Sequence, residues 1–148
     1  MTAANNLPVD TPPFPLNTTF KYNSRKWYFT ITDLSDPSHP KFCISSFENC
    51  KGDGINLDVL NVEEVDDKGE YIKTMWDIEA TRNTKLKNVT YGIASRGYKE
   101  NLSAKPLETG KFYRVRGPFF FRLIKNGETI EAEIYSLNEF KKMLTKGK

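Results

Sequence analysis

Histidine is nearly absent from this chain. His39 is the single one, set between Ser38 and Pro40 in a loop-like stretch. A Ser–His–Asp triad or a His-based zinc site would have to be assembled around it, yet nothing nearby resembles a strained nucleophile elbow or a His pair on one helix face. His39 is read as a solvated loop residue. Cysteine is almost as scarce, with only Cys43 and Cys50 in "KFCISSFENCKGDG". Two thiols and one distant His make a poor tetrahedral set, so neither a metal nor another cofactor is expected. The pair is either a disulfide closing a short loop or two reduced thiols. A bridge would contribute about 2.5 kcal/mol and place the protein outside the cytosol.

Long apolar runs are missing too. No stretch approaches the roughly eighteen apolar residues of a membrane-spanning helix. Neither charge sign dominates, with 22 Lys plus Arg against 19 Asp plus Glu, and this argues against a nucleic-acid partner. The glycines at 92 and 97 lack the GxxxxGK[ST] order of a phosphate loop. Gly92 reads instead as a corner or bulge, and Gly110 as a turn before a strand. The N-terminus "MTAANNLPVDTPPFPLN" has no basic n-region and no apolar h-region. With Pro8, Pro12, Pro13 and Pro15 it reads as an extended tether over residues 1–17, as the cut end of a longer precursor, or as a start methionine ahead of a mature domain.

What remains is aromatic and alternating. A length of 148 residues suits one domain, over residues 18–148, and an aromatic content of 13% compensates for a thin aliphatic one. "TFKYN" and "KWYFTITDL" alternate, the latter with Trp27, Phe29 and Ile31 inward. "KFCISSF" is a third strand. "INLDVLNVEEV" puts Ile55, Leu57 and Val59 inward; "EYIKTMWDIEA" does the same with Ile72, Trp76 and Ile78, and "LKNVTYGIA" with Val89, Tyr91 and Ile93. "KFYRVRG" leads through Gly117-Pro118 to "FFFRLI", and Asn126-Gly127 signals a type I′ hairpin into "ETIEAEIY". Ser136 and Glu139 have capping-box spacing for a closing helix whose apolar face is Leu137, Phe140, Met143 and Leu144. The reading is mainly β: an antiparallel, immunoglobulin-like β-sandwich of seven to nine strands with a short C-terminal helix.

Three groups of side chains invite a functional role. Glu63, Glu64, Asp66, Asp67 and Glu70 form an acidic turn, read as a solvent-facing hairpin tip or a patch for a basic partner. Tyr28, Tyr71 and Tyr98 could stack on sugar rings. Arg114 and Arg116 make a modest basic strip. Two of the carboxylates could serve a glycosidase only if they converged in a cleft with a raised pKa.

One ordered set of residues carries a resemblance. Trp76-x-Ile78 precedes "VTYG", in which Tyr91 and Gly92 stand; a Gly97-Tyr98 corner follows, and then Ala104, Pro106, Leu107, Gly110, Tyr113 and Val115. This order resembles a family of small bacterial periplasmic lipoproteins regarded as type VI secretion immunity proteins. The match covers residues 76–115, and before them only a strand-rich half with Cys43 in its third strand. Where the family pattern has a proline near position 95 this chain has Ser95, and the family's signal peptide and lipobox cysteine are absent.

The resemblance implies a non-enzymatic periplasmic protein that binds an antibacterial toxin and blocks its cleft, anchored to a membrane only through a lipid this chain lacks. The expected partner is the cognate toxin. The expected contact regions are the acidic turn, residues 48–54, and the corner 95–100 with Arg96 and Tyr98, over about 800 Å² per partner. The alternative from the residues alone is a carbohydrate- or cell-wall-binding sandwich.

Overall fold

Among the described residues, apolar–polar patterning produces nine strands and a closing amphipathic helix. The computed structural model of the protein describes residues 27–115 and 119–146. They form β1 (Tyr28–Asp33), β2 (Lys41–Ser45), β3 (Val59–Val65), β4 (Tyr71–Ala80), β5 (Asn88–Thr90), β6 (Tyr98–Leu102), β7 (Phe112–Val115), β8 (Phe119–Asn126), β9 (Thr129–Ser136) and α1 (Leu137–Lys146). Every pairing is antiparallel. One sheet has the order β1-β2-β5 and the other β6-β4-β3-β7-β8-β9, in a sandwich-like arrangement. The expected mainly-β class and closing helix are both present. The tether at 1–17, the "TFKYN" strand, Arg116 and the Gly117-Pro118 link lie outside the described residues.

The core lies between the sheets. Phe29, Phe42, Ile44 and Val89 come from the small sheet, and Leu60, Val62, Trp76, Ile78, Tyr113, Val115, Phe121 and Leu123 from the large one. Aromatic rings cross the gap: Phe42 meets Phe121 edge-on at 5.7 Å between centroids, and Trp76 meets Tyr91 at 5.2 Å. Such pairs add about 0.5–1.5 kcal/mol each beyond area burial.

A second cluster of Val65, Phe120 and Phe140 covers part of the large sheet's other face. Phe140, from α1, stacks flat on Phe120 at 4.1 Å. The helix starts where the sequence says it should: the Ser136 N–H donates to Glu139 Oε1 at 2.8 Å, and the Glu139 N–H to Ser136 Oγ at 3.2 Å.

Local irregularities displace several side chains from their expected faces. In β4 the pairing jumps from Val62↔Trp76 to Glu63↔Thr74, leaving Met75 as an extra residue, and then from Glu64↔Lys73 to Val65↔Tyr71, leaving Ile72 as another. An inserted residue reverses the alternation, so Met75 is buried and Ile72, expected inside, is exposed. A bend at Asp58 does the same for β3: Ile55 and Leu57 are buried as expected, but beyond the bend Leu60 and Val62 point inward and Val59 is only half-buried.

Turns account for the other differences. Ile93 is exposed because the chain turns at Gly92, whose φ is +91°. Leu137, at the first position of α1, stays exposed. The β8–β9 hairpin sits one residue later than expected: Asn126 pairs with Thr129 around Gly127-Glu128. Gly127 has φ +66° and Glu128 no positive φ, the pattern of a type II′ turn with glycine first.

Candidate functional site

The acidic turn is largely consumed by the fold. Glu63 accepts from Arg114 Nε and Nη2 at 2.9 and 2.6 Å across the β3–β7 ladder. The Asp66 carboxylate accepts the N–H groups of Lys68 and Glu70 at 2.8 and 2.9 Å, closing the β3–β4 turn. These two bonds, the Glu70 one first, hold its pKa below the ordinary aspartate value. Glu64 is the surprise. It lies on the core-facing side of β3, 6% exposed, with Lys111 Nζ at 3.5 Å and Lys73 Nζ at 3.8 Å. The solvent-facing reading therefore fails for Glu64, because the alternation that buries Leu60 and Val62 carries it inward. Of the five, only Asp67 and Glu70 are exposed.

The Gly-rich corner and the Pro-Leu stretch after it form a strap fastened by tyrosine hydroxyls. Tyr91 Oη donates to the Lys105 carbonyl at 2.7 Å. The Glu108 N–H donates to Tyr113 Oη at 2.8 Å, and Lys105 N–H donates to the carbonyl of the bulged Met75 at 2.9 Å. Burial pushes the hydroxyls of Tyr91 and Tyr113 above the ordinary tyrosine pKa. Tyr98, expected at a surface, is 9% exposed and donates to the Leu57 carbonyl at 2.6 Å. No sugar-stacking platform can include it. Tyr28 and Tyr71 lie on different sheets.

The end of β2 and the loop after it, residues 43–54, are closely braced. Cys43 and Cys50 are disulfide-bonded with Cα atoms 5.7 Å apart, which closes the question the spacing left open. Ser46 N–H donates to the Asp53 carbonyl at 2.8 Å and Asp53 N–H to Ser46 Oγ at 3.0 Å. Buried Ser45 donates its hydroxyl to the Phe47 carbonyl at 2.8 Å. Asn49 and Cys50 both hold positive φ, +61° and +63°, a conformation that costs an ordinary residue about 1–2 kcal/mol. On this frame Phe47 is 67% exposed, and nothing in the sequence pattern marked it out.

Beside the loop lies an open depression of about 450 Å³ lined by Arg82, Lys85, Lys87 and Arg96 among others. Two of these cations tie it to the loop: Lys87 Nζ donates to the Gly52 carbonyl at 2.8 Å, and Lys85 Nζ stands 3.6 Å from Asp53. Arg82 and Arg96 form no ion pair with any described residue. The regions expected to form contacts therefore separate. The loop at 48–54 and the corner with Arg96 meet around residues 82–88, whereas the acidic turn sits at the far end of β4, a ten-residue strand about 30 Å long.

His39 is exposed, with Nδ1 3.2 Å from Asp36 Oδ2. Among the described residues no three His, Cys, Asp or Glu side chains are grouped to hold a metal. Each carboxylate whose pKa is clearly shifted (Asp33, Asp36, Asp66 and Glu133) is shifted downward, led in every case by a side-chain or backbone hydrogen bond. Among the described residues no helix is long and apolar enough to cross a membrane. Against family models, curated proteins and solved structures alike, the chain finds no match.

Proposed function

We propose that this protein is a non-enzymatic immunity protein that acts in the periplasm by binding an antibacterial toxin and blocking its active-site cleft. The resemblance over residues 76–115 supplies the idea. The observation that supports it most is the braced loop: a disulfide, backbone bonds and a left-handed Asn49–Cys50 turn hold an exposed Phe47 in place. Tight blockade of a cleft requires an anchor of this kind, because a loop already ordered in the free protein pays little entropy on binding. The disulfide suits an oxidising compartment such as the periplasm.

The test is contact-dependent competition. A strain of the source bacterium lacking this protein is mixed on solid medium with its parent. The deletion strain is expected to be killed by the parent, to survive beside a parent lacking its secretion apparatus, and to be rescued by a periplasm-directed copy. Equal survival against both parents overturns the reading.

A further inference from the structure

The described arginines divide into two kinds. Arg114 and Arg122 are each matched by a glutamate across a strand ladder, Glu63 at 2.6 Å and Glu133 at 2.5 Å. Arg82 and Arg96 are exposed, line the same depression and have no carboxylate partner among the described residues. A guanidinium presents a planar fork of donors matched to carboxylates, and two such forks lining one depression offer a receptor for acidic side chains.

Their neighbours are occupied with holding the wall in place. Lys87 is bonded to Gly52, and Lys85 is paired with Asp53. The Phe47 ring lies close to Gly52, where an added Cβ would come within 3.3 Å of its Cδ2. Gly52 thus links the loop that carries Phe47 to the cationic wall through its carbonyl bond from Lys87. Across the loop and depression, Lys51, Arg82, Lys85, Lys87 and Arg96 stand against only Glu48 and Asp53.

We propose that the disulfide loop and this depression form one docking surface for an acidic protein, with Phe47 entering an apolar pocket and Arg82 and Arg96 clasping carboxylates at its rim. The proposal rests on the toxin-blocking reading only for the identity of the partner. An exposed aromatic near arginines that have no carboxylate partner among the described residues, on a pre-ordered frame, is the composition of a binding hot spot. The excess positive charge accelerates encounter with a negative surface in a salt-dependent way.

The charge half of the surface is tested with poly-L-glutamate titrated into the ¹⁵N-labelled protein at low ionic strength. Amide shifts are expected at residues 46–54, 82–88 and 95–97. Apparent affinity should fall at least tenfold in Arg82→Glu/Arg96→Glu, and the shifts should collapse at physiological salt. Shifts centred on α1, or tighter binding of a single-stranded DNA oligonucleotide of equal charge, overturn the proposal, the latter in favour of a nucleic-acid surface. Arg82→Gln/Arg96→Gln serves if the charge-reversed variant loses its wild-type urea midpoint.

The biological half uses the competition assay. Phe47→Ala and Arg82→Glu/Arg96→Glu should lose protection, while Asp67→Lys/Glu70→Lys at the far end of β4 should keep it. If wild type and all variants protect equally, the surface is wrong and the toxin-blocking reading stands. If wild type gives no protection but the poly-glutamate shifts fall as expected, the surface stands and that reading fails.

Discussion

The hydroxyl of Tyr98 donates to the carbonyl of Leu57 at 2.6 Å, joining the first residue of β6 to the segment that leads into β3. Both groups are buried, so the bond has no water to replace it. Tyr98→Phe keeps the ring and strands the Leu57 carbonyl, at an expected cost of about 1–3 kcal/mol. A urea titration should show a lower midpoint with an unchanged slope. A midpoint equal to wild type would mean that the carbonyl finds another donor.

Gly69 and Gly110 have nearly the same backbone, φ +85° and +87°, but different neighbours. A Cβ at Gly69 would meet Phe140 Cε2 at 3.0 Å, whereas at Gly110 it would meet nothing within 4 Å. Gly110→Ala should cost only the left-handed strain, about 1 kcal/mol. Gly69→Ala should cost more, because the β3–β4 turn must also shift against α1. Equal thermal stabilities of the two variants would remove any role for that contact.

Glu133 accepts hydrogen bonds from Tyr135 and Arg122, and the Tyr135 bond is the larger reason its pKa is lowered. A carboxylate with a depressed folded-state pKa stabilises the fold above its unfolded value, about 4.3, and loses that contribution as pH falls through the lower folded value. Glu133→Gln should therefore be less stable than wild type at neutral pH, with the difference shrinking below about pH 4. Stability measured across pH 7 to pH 3 checks this, and a constant difference would contradict it.

The acidic turn supplies a contrast of two reversals. Asp67→Lys changes an exposed side chain and should alter stability by no more than about 0.5 kcal/mol. Glu64→Lys sets a third cation at a buried position beside the partly exposed Lys73 and Lys111, and a substitution that buries a charge among like charges should cost more, on the order of 1–3 kcal/mol. Circular dichroism melts of the two proteins decide it. If Glu64→Lys melts like Asp67→Lys, Glu64 is not structurally engaged.

Removing the bridge with Cys43→Ala/Cys50→Ala should lower stability by about 2.5 kcal/mol through the unfolded chain, or several degrees in melting temperature. If the loop is the binding element, protection against a toxin should fall further than the stability loss explains. That comparison is made at a temperature where both proteins are fully folded.

The sheets were legible because alternation is a local signal. β1, β7 and β9 fall where apolar and polar residues alternate, β2 and β8 are short apolar-rich runs bounded by polar turns, and Ser136 with Glu139 marks the helix start to the residue. Parity failed where one inserted residue intervened, as at Met75, Ile72 and the Asp58 bend, since an insertion leaves no trace in composition. The site was harder to read. Glu64 and Tyr98 look like surface residues from their types and turn out buried, each satisfied by partners distant in sequence. Phe47 looked like the end of a strand. Arg82, Lys85, Lys87 and Arg96 converge only because β5 and the corner after it fold back beside the disulfide loop.

The bracing of that loop has an evolutionary consequence. Its shape is set by Cys43, Cys50, Ser45, Ser46 and backbone groups, none of which belongs to Phe47 or Glu48 as side chains. Those two positions can be rewritten without a penalty in the scaffold, so the same frame can present different side chains there. If the loop is the binding element, selection acting there would produce sister proteins that fold alike and recognise different targets.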